Sequence, residues 1–305
     1  MSGAALPGRR PPEWSGVLAV ALAAAVLGFS GISARFAYLG GANLAMLLAM
    51  RFVVMTVTLF LIARALGMTI RLPRALRLPV FGLGLIFALN AFGYVGFVAY
   101  IPVSLGVLLV YTYPLMVAAL SRLLNRERFT PLKITAVLGA FVGVAVMLGV
   151  SWHGLDWRGV ALALLAATAN AAATMGAARA MRRIEMPVLV AYMSAVAAIA
   201  AIGFGLAGGG FAAPTGVAGW IGAAGVTLCF FFGFVGYFFA VRTIGETRSA
   251  VIANLEPAVG VLAAFALLGE SFSLSQAFGA LLLLGGVFLI VYANVRLARR
   301  TAPAS

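Results

Sequence analysis

The side chains able to do chemistry are few, and most fall at one depth. Asn90, Tyr111, Thr112, Tyr113, Asn170, Thr174, Asn254 and Glu256 each stand near the centre of an apolar stretch. Asn and Glu are costly in hydrocarbon, so at such a depth they face a bundle interior or a wet cavity. Taken singly, each Asn could serve only as a bond between helices, worth about 0.6 kcal/mol on average. As a group at one level they read as the lining of a cavity. Glu256 is the one acid set deep in a stretch. It could exchange a proton, act as a neutral hydrogen-bonding partner, or pair with Arg51, the one deep arginine. Arg51 itself reads as structural. Phe87 and Tyr94 in one stretch match Phe230 and Tyr237 in another, which makes these four the aromatic residues expected to face a shared centre. Aromatic walls with few charges suit a bulky, moderately apolar, zwitterionic or neutral solute, and suit phosphate esters poorly.

Counting excludes several chemistries. The only lysine, Lys133, lies in Pro131-Leu132-Lys133-Ile134, so no Gly-Lys-Ser/Thr phosphate loop exists. The only histidine, His153, and the only aspartate, Asp156, share one short polar loop. Neither a two-aspartate protease nor a serine–histidine protease at membrane depth can be built from them. The lone cysteine, Cys229, permits no intrachain disulfide, and no cluster of His, Cys and acids is expected to hold zinc, haem or iron–sulfur. No enzyme activity and no cofactor are expected.

The elements that must position these groups follow from composition. The chain has 305 residues, 64% hydrophobic and 9% charged, against about half and a quarter in a soluble domain. At about 20 apolar residues per crossing, ten apolar segments stand out: 15–38, 42–63, 78–99, 104–121, 132–150, 158–180, 187–207, 217–241, 249–268 and 276–295. The first is too long for a signal-peptide core and is read as a mature helix. The net charge of +14 would point to nucleic acid on a soluble chain. Here it reports basic cytoplasmic loops, and no nucleic-acid partner is expected. With the N-terminus inside, every Lys and Arg except Arg35, Arg51 and Arg158 falls on an inside segment. Both termini are therefore expected to be cytoplasmic, with the loops near Gly40, Pro102, His153, Gly209 and Ser271 outside.

The chain also repeats. An offset of 143 residues brings Trp14, Gly16 and Val17 onto Trp157, Gly159 and Val160. The same register superposes Gly93 and Tyr94 on Gly236 and Tyr237, and Pro114, Glu127 and Phe129 on Pro257, Glu270 and Phe272. Apolar sequence matches Leu, Ala and Val by chance, but does not align Trp, Tyr, Pro and Glu in one register. Residues 1–150 and 151–305 thus read as two five-helix repeats. An odd number of spans inverts the second copy, a common plan of secondary transporters in which the halves exchange roles.

Each half carries a proline followed thirteen residues later by an acid: Tyr111-Thr112-Tyr113-Pro114 with Asn125-Arg126-Glu127, and Asn254-Leu255-Glu256-Pro257 with Leu268-Gly269-Glu270. With ten spans in two such halves, the chain resembles the drug/metabolite transporter superfamily, specifically its EamA-type exporters, over nearly its whole length. Its aromatic-rich third and eighth spans are similar to those of the YddG-type exporters of aromatic amino acids. The prolines remove a mid-helix hydrogen bond and are read as hinges; Glu127 and Glu270 are read as structural caps of the following helices. The resemblance implies a multi-pass exporter of small metabolites in a bacterial inner membrane, among lipids and functional as a monomer, with amino acids, aromatic ones included, as the expected substrate. It leaves proton coupling open against facilitated diffusion. A drug or lipid-like solute exporter is the alternative within transport; a channel or a non-transporting membrane scaffold is the alternative outside it.

Overall fold

The structure, a computed structural model, describes residues 12–125, 130–149, 156–268 and 273–301. Among these residues the regular elements are all helices. Ten are long and apolar enough to cross a membrane: Glu13–Leu39, Leu44–Ala65, Arg74–Ala99, Val103–Leu124, Pro131–Leu148, Trp157–Ala180, Met186–Ala207, Gly216–Ile244, Glu246–Leu267 and Leu274–Tyr292. They are numbered span 1 to span 10 in chain order. The reading of ten segments holds, with ends moved by a few residues. Span 3 starts at Arg74 rather than 78, because a helix continues past its apolar run where arginine stems cover the hydrocarbon edge.

Helix is what a backbone without water must form, since it satisfies its polar groups within the segment. Polar side chains finish the ends. Asn43 Oδ1 accepts from the Met46 amide at 2.9 Å at the start of span 2. Thr130 Oγ1 accepts from the Lys133 amide at 3.3 Å ahead of Pro131 in span 5. Asp156 Oδ1 accepts from the Arg158 amide at 2.8 Å and opens span 6. These are N-caps of the ordinary kind. The parallel expectation that Glu127 and Glu270 cap helices lies outside the described residues, as does His153.

Three spans are interrupted. Span 4 divides into Val103–Val110 and Tyr113–Asn125, and span 9 into Glu246–Ala253 and Leu255–Leu268. Each break lies just before a proline, Pro114 or Pro257, whose missing N–H deprives the preceding turn of a bond. The Thr112 hydroxyl donates to the Leu109 carbonyl at 2.6 Å within the broken turn. Span 1 divides at Phe29 into Glu13–Gly28 and Ser30–Leu39 without a proline. A side chain at Gly28 would come within 2.9 Å of the Glu256 carbonyl oxygen, so only glycine lets the break of span 9 press against span 1.

Span 1 packs along span 8, span 3 along span 6, span 2 along span 7 and span 5 along span 10. The last pair meets backbone to backbone: a Cβ on Gly143 would lie 2.7 Å from the Gly279 carbonyl oxygen, and one on Gly286 2.6 Å from that of Ala136. Close approach over small residues replaces the absent hydrophobic drive between helices in lipid. Leu61, Leu78, Ile199, Ile221, Phe232, Leu281 and Phe288 are exposed around the outside, a belt suited to hydrocarbon rather than water.

Candidate functional site

The loops define two faces. At one, Asn43 Nδ2 donates to the Gly210 carbonyl at 3.0 Å and the Thr215 hydroxyl to that of Gly40 at 2.9 Å. At the other, which bears the two described ends of the chain, Arg242 pairs with Glu185 at 3.1 Å and Arg248 with Glu13 at 3.0 Å.

Between them, at mid-depth, lies a cavity of about 310 Å³. Spans 1, 2, 3, 4, 6, 8 and 9 supply its wall. It extends past Tyr94 and Tyr38 to Leu44, and so reaches the face of the 40–43 loop. Spans 5 and 10 do not contribute to it.

The structure brings together most of the residues singled out from sequence. Asn90, Tyr94, Tyr111, Tyr113, Asn170, Phe230, Tyr237 and Glu256 line the cavity. The breaks in spans 4 and 9 put Tyr111, Tyr113 and Glu256 there, in one lining. Asn90 is also a bond between helices: its Nδ2 donates to the Ala166 carbonyl of span 6 at 2.9 Å.

Four candidates stand outside the lining. Phe87 is buried beneath it, in edge contact with Phe52 at 5.5 Å and Phe234 at 5.1 Å and 6.2 Å from Phe230. The matched pair Phe87/Phe230 thus meets, but as packing, because Phe230 alone reaches the cavity. Thr112 spends its hydroxyl on its own helix. Thr174 lies behind the wall, 3.0 Å from the Tyr237 hydroxyl. Asn254 is buried at the break of span 9, with no partner for its Oδ1 among the described residues.

Toward the face of the chain ends the cavity is sealed. Tyr113 donates to the Ala250 carbonyl at 3.3 Å, the Thr174–Tyr237 bond lies beside it, and the Ser121 hydroxyl donates to Glu246 at 3.1 Å closer to that face. The seal therefore joins span 4 to span 9 and span 6 to span 8.

Sequence reasoning passed over Arg51, reading it as structural. Arg51 lines the cavity. Its guanidinium lies 4.6 Å from the Phe230 ring centre and 5.2 Å from that of Phe52, within cation–π range. No ion pair joins it to Glu256 among the described residues; its aromatic seat replaces the pairing offered as one option. The signal was present, since a lone arginine deep in an apolar stretch is costly unless a cavity or partner receives it.

The comparisons agree with this architecture. The model of the EamA-like transporter family matches the chain twice, over residues 14–149 and 157–292. An "Uncharacterized transporter" of Archaeoglobus fulgidus is 26% identical over 243 residues, covering 77% of this chain and 84% of that one. A solved crystal structure superposes with a TM-score of 0.77, covering 90% of this chain and 96% of the other at 19% identity; that likeness concerns the fold alone. The two matches take in the breaks of all three interrupted spans and every residue that lines the cavity, and the chain belongs to the EamA-like transporter family.

Proposed function

We propose that this transporter exports small metabolites, amino acids including aromatic ones, by alternating access across a bacterial inner membrane. The observation that carries the reading is the asymmetry of the cavity. It reaches one face, and buried hydrogen bonds seal it from the other. A channel needs continuity between faces; a carrier needs one site closed on one side at a time. The seal crosses spans 4 and 9, both interrupted before a proline, where a change of backbone angle costs the fewest hydrogen bonds.

In this reading residues 1–150 and 151–305 are two inverted five-helix halves. The two family matches, offset by the same 143 residues as the sequence repeat, support that division. Excess Arg at the face of the chain ends supports cytoplasmic termini. The cavity then faces the periplasm, in the state from which an exported solute leaves. Aromatic walls, five cavity tyrosines and few charges favour an amino acid over a phosphate ester. The protein works as a monomer among lipids and without a cofactor.

The test is counterflow in liposomes with a panel of labelled amino acids. Saturable uptake accelerated by unlabelled solute on the far side is expected. Flux without exchange acceleration identifies a channel, and no flux with any solute identifies a scaffold; drugs or lipid-like solutes replacing amino acids identify the other exporter class. Tags after Arg183 and Arg300 are expected in the cytoplasm and a tag near Gly209 in the periplasm; a cytoplasmic Gly209 tag overturns the inverted halves.

A further inference from the structure

The cavity holds one cation and one acid, and they are not paired. Arg51 comes from span 2 and Glu256 from the break of span 9, and both line the same space. The guanidinium is seated on Phe230 and Phe52, at 4.6 and 5.2 Å from the ring centres. Its Nε is buried without a hydrogen-bond partner among the described residues. Tyr38 and Tyr94 share the cavity wall with it. Tyr94 lines the same cavity as both charges. A cation held in a low-dielectric wall without a counterion is costly, and neither ring supplies the hydrogen-bond acceptors that its fork of donors requires.

The geometry points to Arg51 as the carboxylate anchor of the cavity, with Glu256 receiving the ammonium group of the same solute, so that the substrate class is the α-amino acid zwitterion. This rests on the transport reading above and names its substrate class. A guanidinium presents parallel N–H donors that match a carboxylate in a bidentate pair, which a point charge does not. A solute with both charges on one carbon needs partners that are close but not in contact, each about 2.8 Å from the group it holds. Two wall charges in direct contact would neutralise each other and leave nothing for the solute. The rings under Arg51 and the tyrosines of the wall leave an apolar and aromatic surface for the side chain. Phe230 serves both needs, as the seat of the cation and as part of that surface.

The experiment separates anchoring from transport. Thermal stabilisation of the purified full chain in detergent is measured with L-phenylalanine, with phenethylamine, which lacks the carboxylate, and with 3-phenylpropionate, which lacks the ammonium group. The same three compounds compete in phenylalanine counterflow. Wild type is expected to favour phenylalanine over either analogue by tenfold or more. In Arg51→Gln the affinity for phenylalanine falls at least tenfold while that for phenethylamine stays within twofold, so the preference for the carboxylate disappears. Arg51→Lys restores part of it, because a point charge keeps the attraction without the fork. A variant that is monodisperse but loses all three compounds equally assigns Arg51 to packing and overturns the anchor. So does a wild type that binds phenethylamine as well as phenylalanine, or that binds none of the three. Selective binding without counterflow leaves the anchor standing and removes the transport reading.

Discussion

Spans 4 and 9 share a backbone device and differ in what it carries. Each is interrupted just before a proline, at Tyr111-Thr112 and at Asn254, positions that the 143-residue offset superposes. At the next equivalent position span 4 has Tyr113 and span 9 has Glu256. Tyr113 turns its hydroxyl to the Ala250 carbonyl of span 9 and takes part in the seal, whereas Glu256 faces the cavity that Tyr111 also lines. The broken turns also differ. Thr112 covers a carbonyl of its own break, while Leu255 has no group to do so and Asn254 keeps an unpartnered Oδ1. A duplicated chain has thus kept the bend, which any proline produces, and diverged in side chains, which bind and close independently.

Removing the acid breaks this comparison with the largest effect. Glu256→Ala removes the one acid of the cavity wall, and exchange in liposomes is expected to fall on the order of tenfold or more. Glu256→Gln keeps size and hydrogen-bonding capacity but loses the charge that receives the ammonium group, and is expected to cost exchange several-fold, less than Ala. Equal losses in both variants would show that the negative charge itself is required.

The two prolines test whether the shared bend is a hinge. Pro114→Ala or Pro257→Ala restores a donor to the broken turn. Exchange is expected to slow several-fold with solute affinity nearly unchanged. Normal rates in both variants would reduce the breaks to packing features.

Tyr113→Phe deletes the bond to Ala250, worth about 0.5–1.5 kcal/mol net. A cysteine introduced at Asn170, with Cys229→Ser to remove the native thiol, is expected to be labelled several-fold faster from the face of the chain ends. Unchanged labelling would assign the seal to the Phe87 ring cluster instead. The smallest expected effect is that of a pH gradient. Uptake by wild type is expected to be the same with and without one, because a single deep acid with no relay of further acids or histidine is poor material for a proton path. Gradient-driven accumulation that vanishes in Glu256→Gln would make Glu256 the coupling site and sharpen its difference from Tyr113.

Much of this molecule was legible in one dimension. Ten crossings, the bends at Pro114 and Pro257 and the level of Asn90, Asn170 and Glu256 follow from local rules: hydrocarbon demands apolar runs of set length, and proline lacks a donor wherever it stands. Those rules act within a span and need no knowledge of its neighbours. Which side chain faces the cavity, packs or seals depends on how a helix is rotated against others far away in sequence. Phe87 and Phe230 have equivalent positions and the same ring, yet one is packing and the other lines the cavity. Arg51 read as structural until Phe230, 179 residues away, proved to be its seat. Composition and spacing determined the spans, their breaks and the depth of the polar groups; tertiary packing alone decided that an arginine and an acid would line one space without touching, since rotation and contact between helices are not written in the period of either.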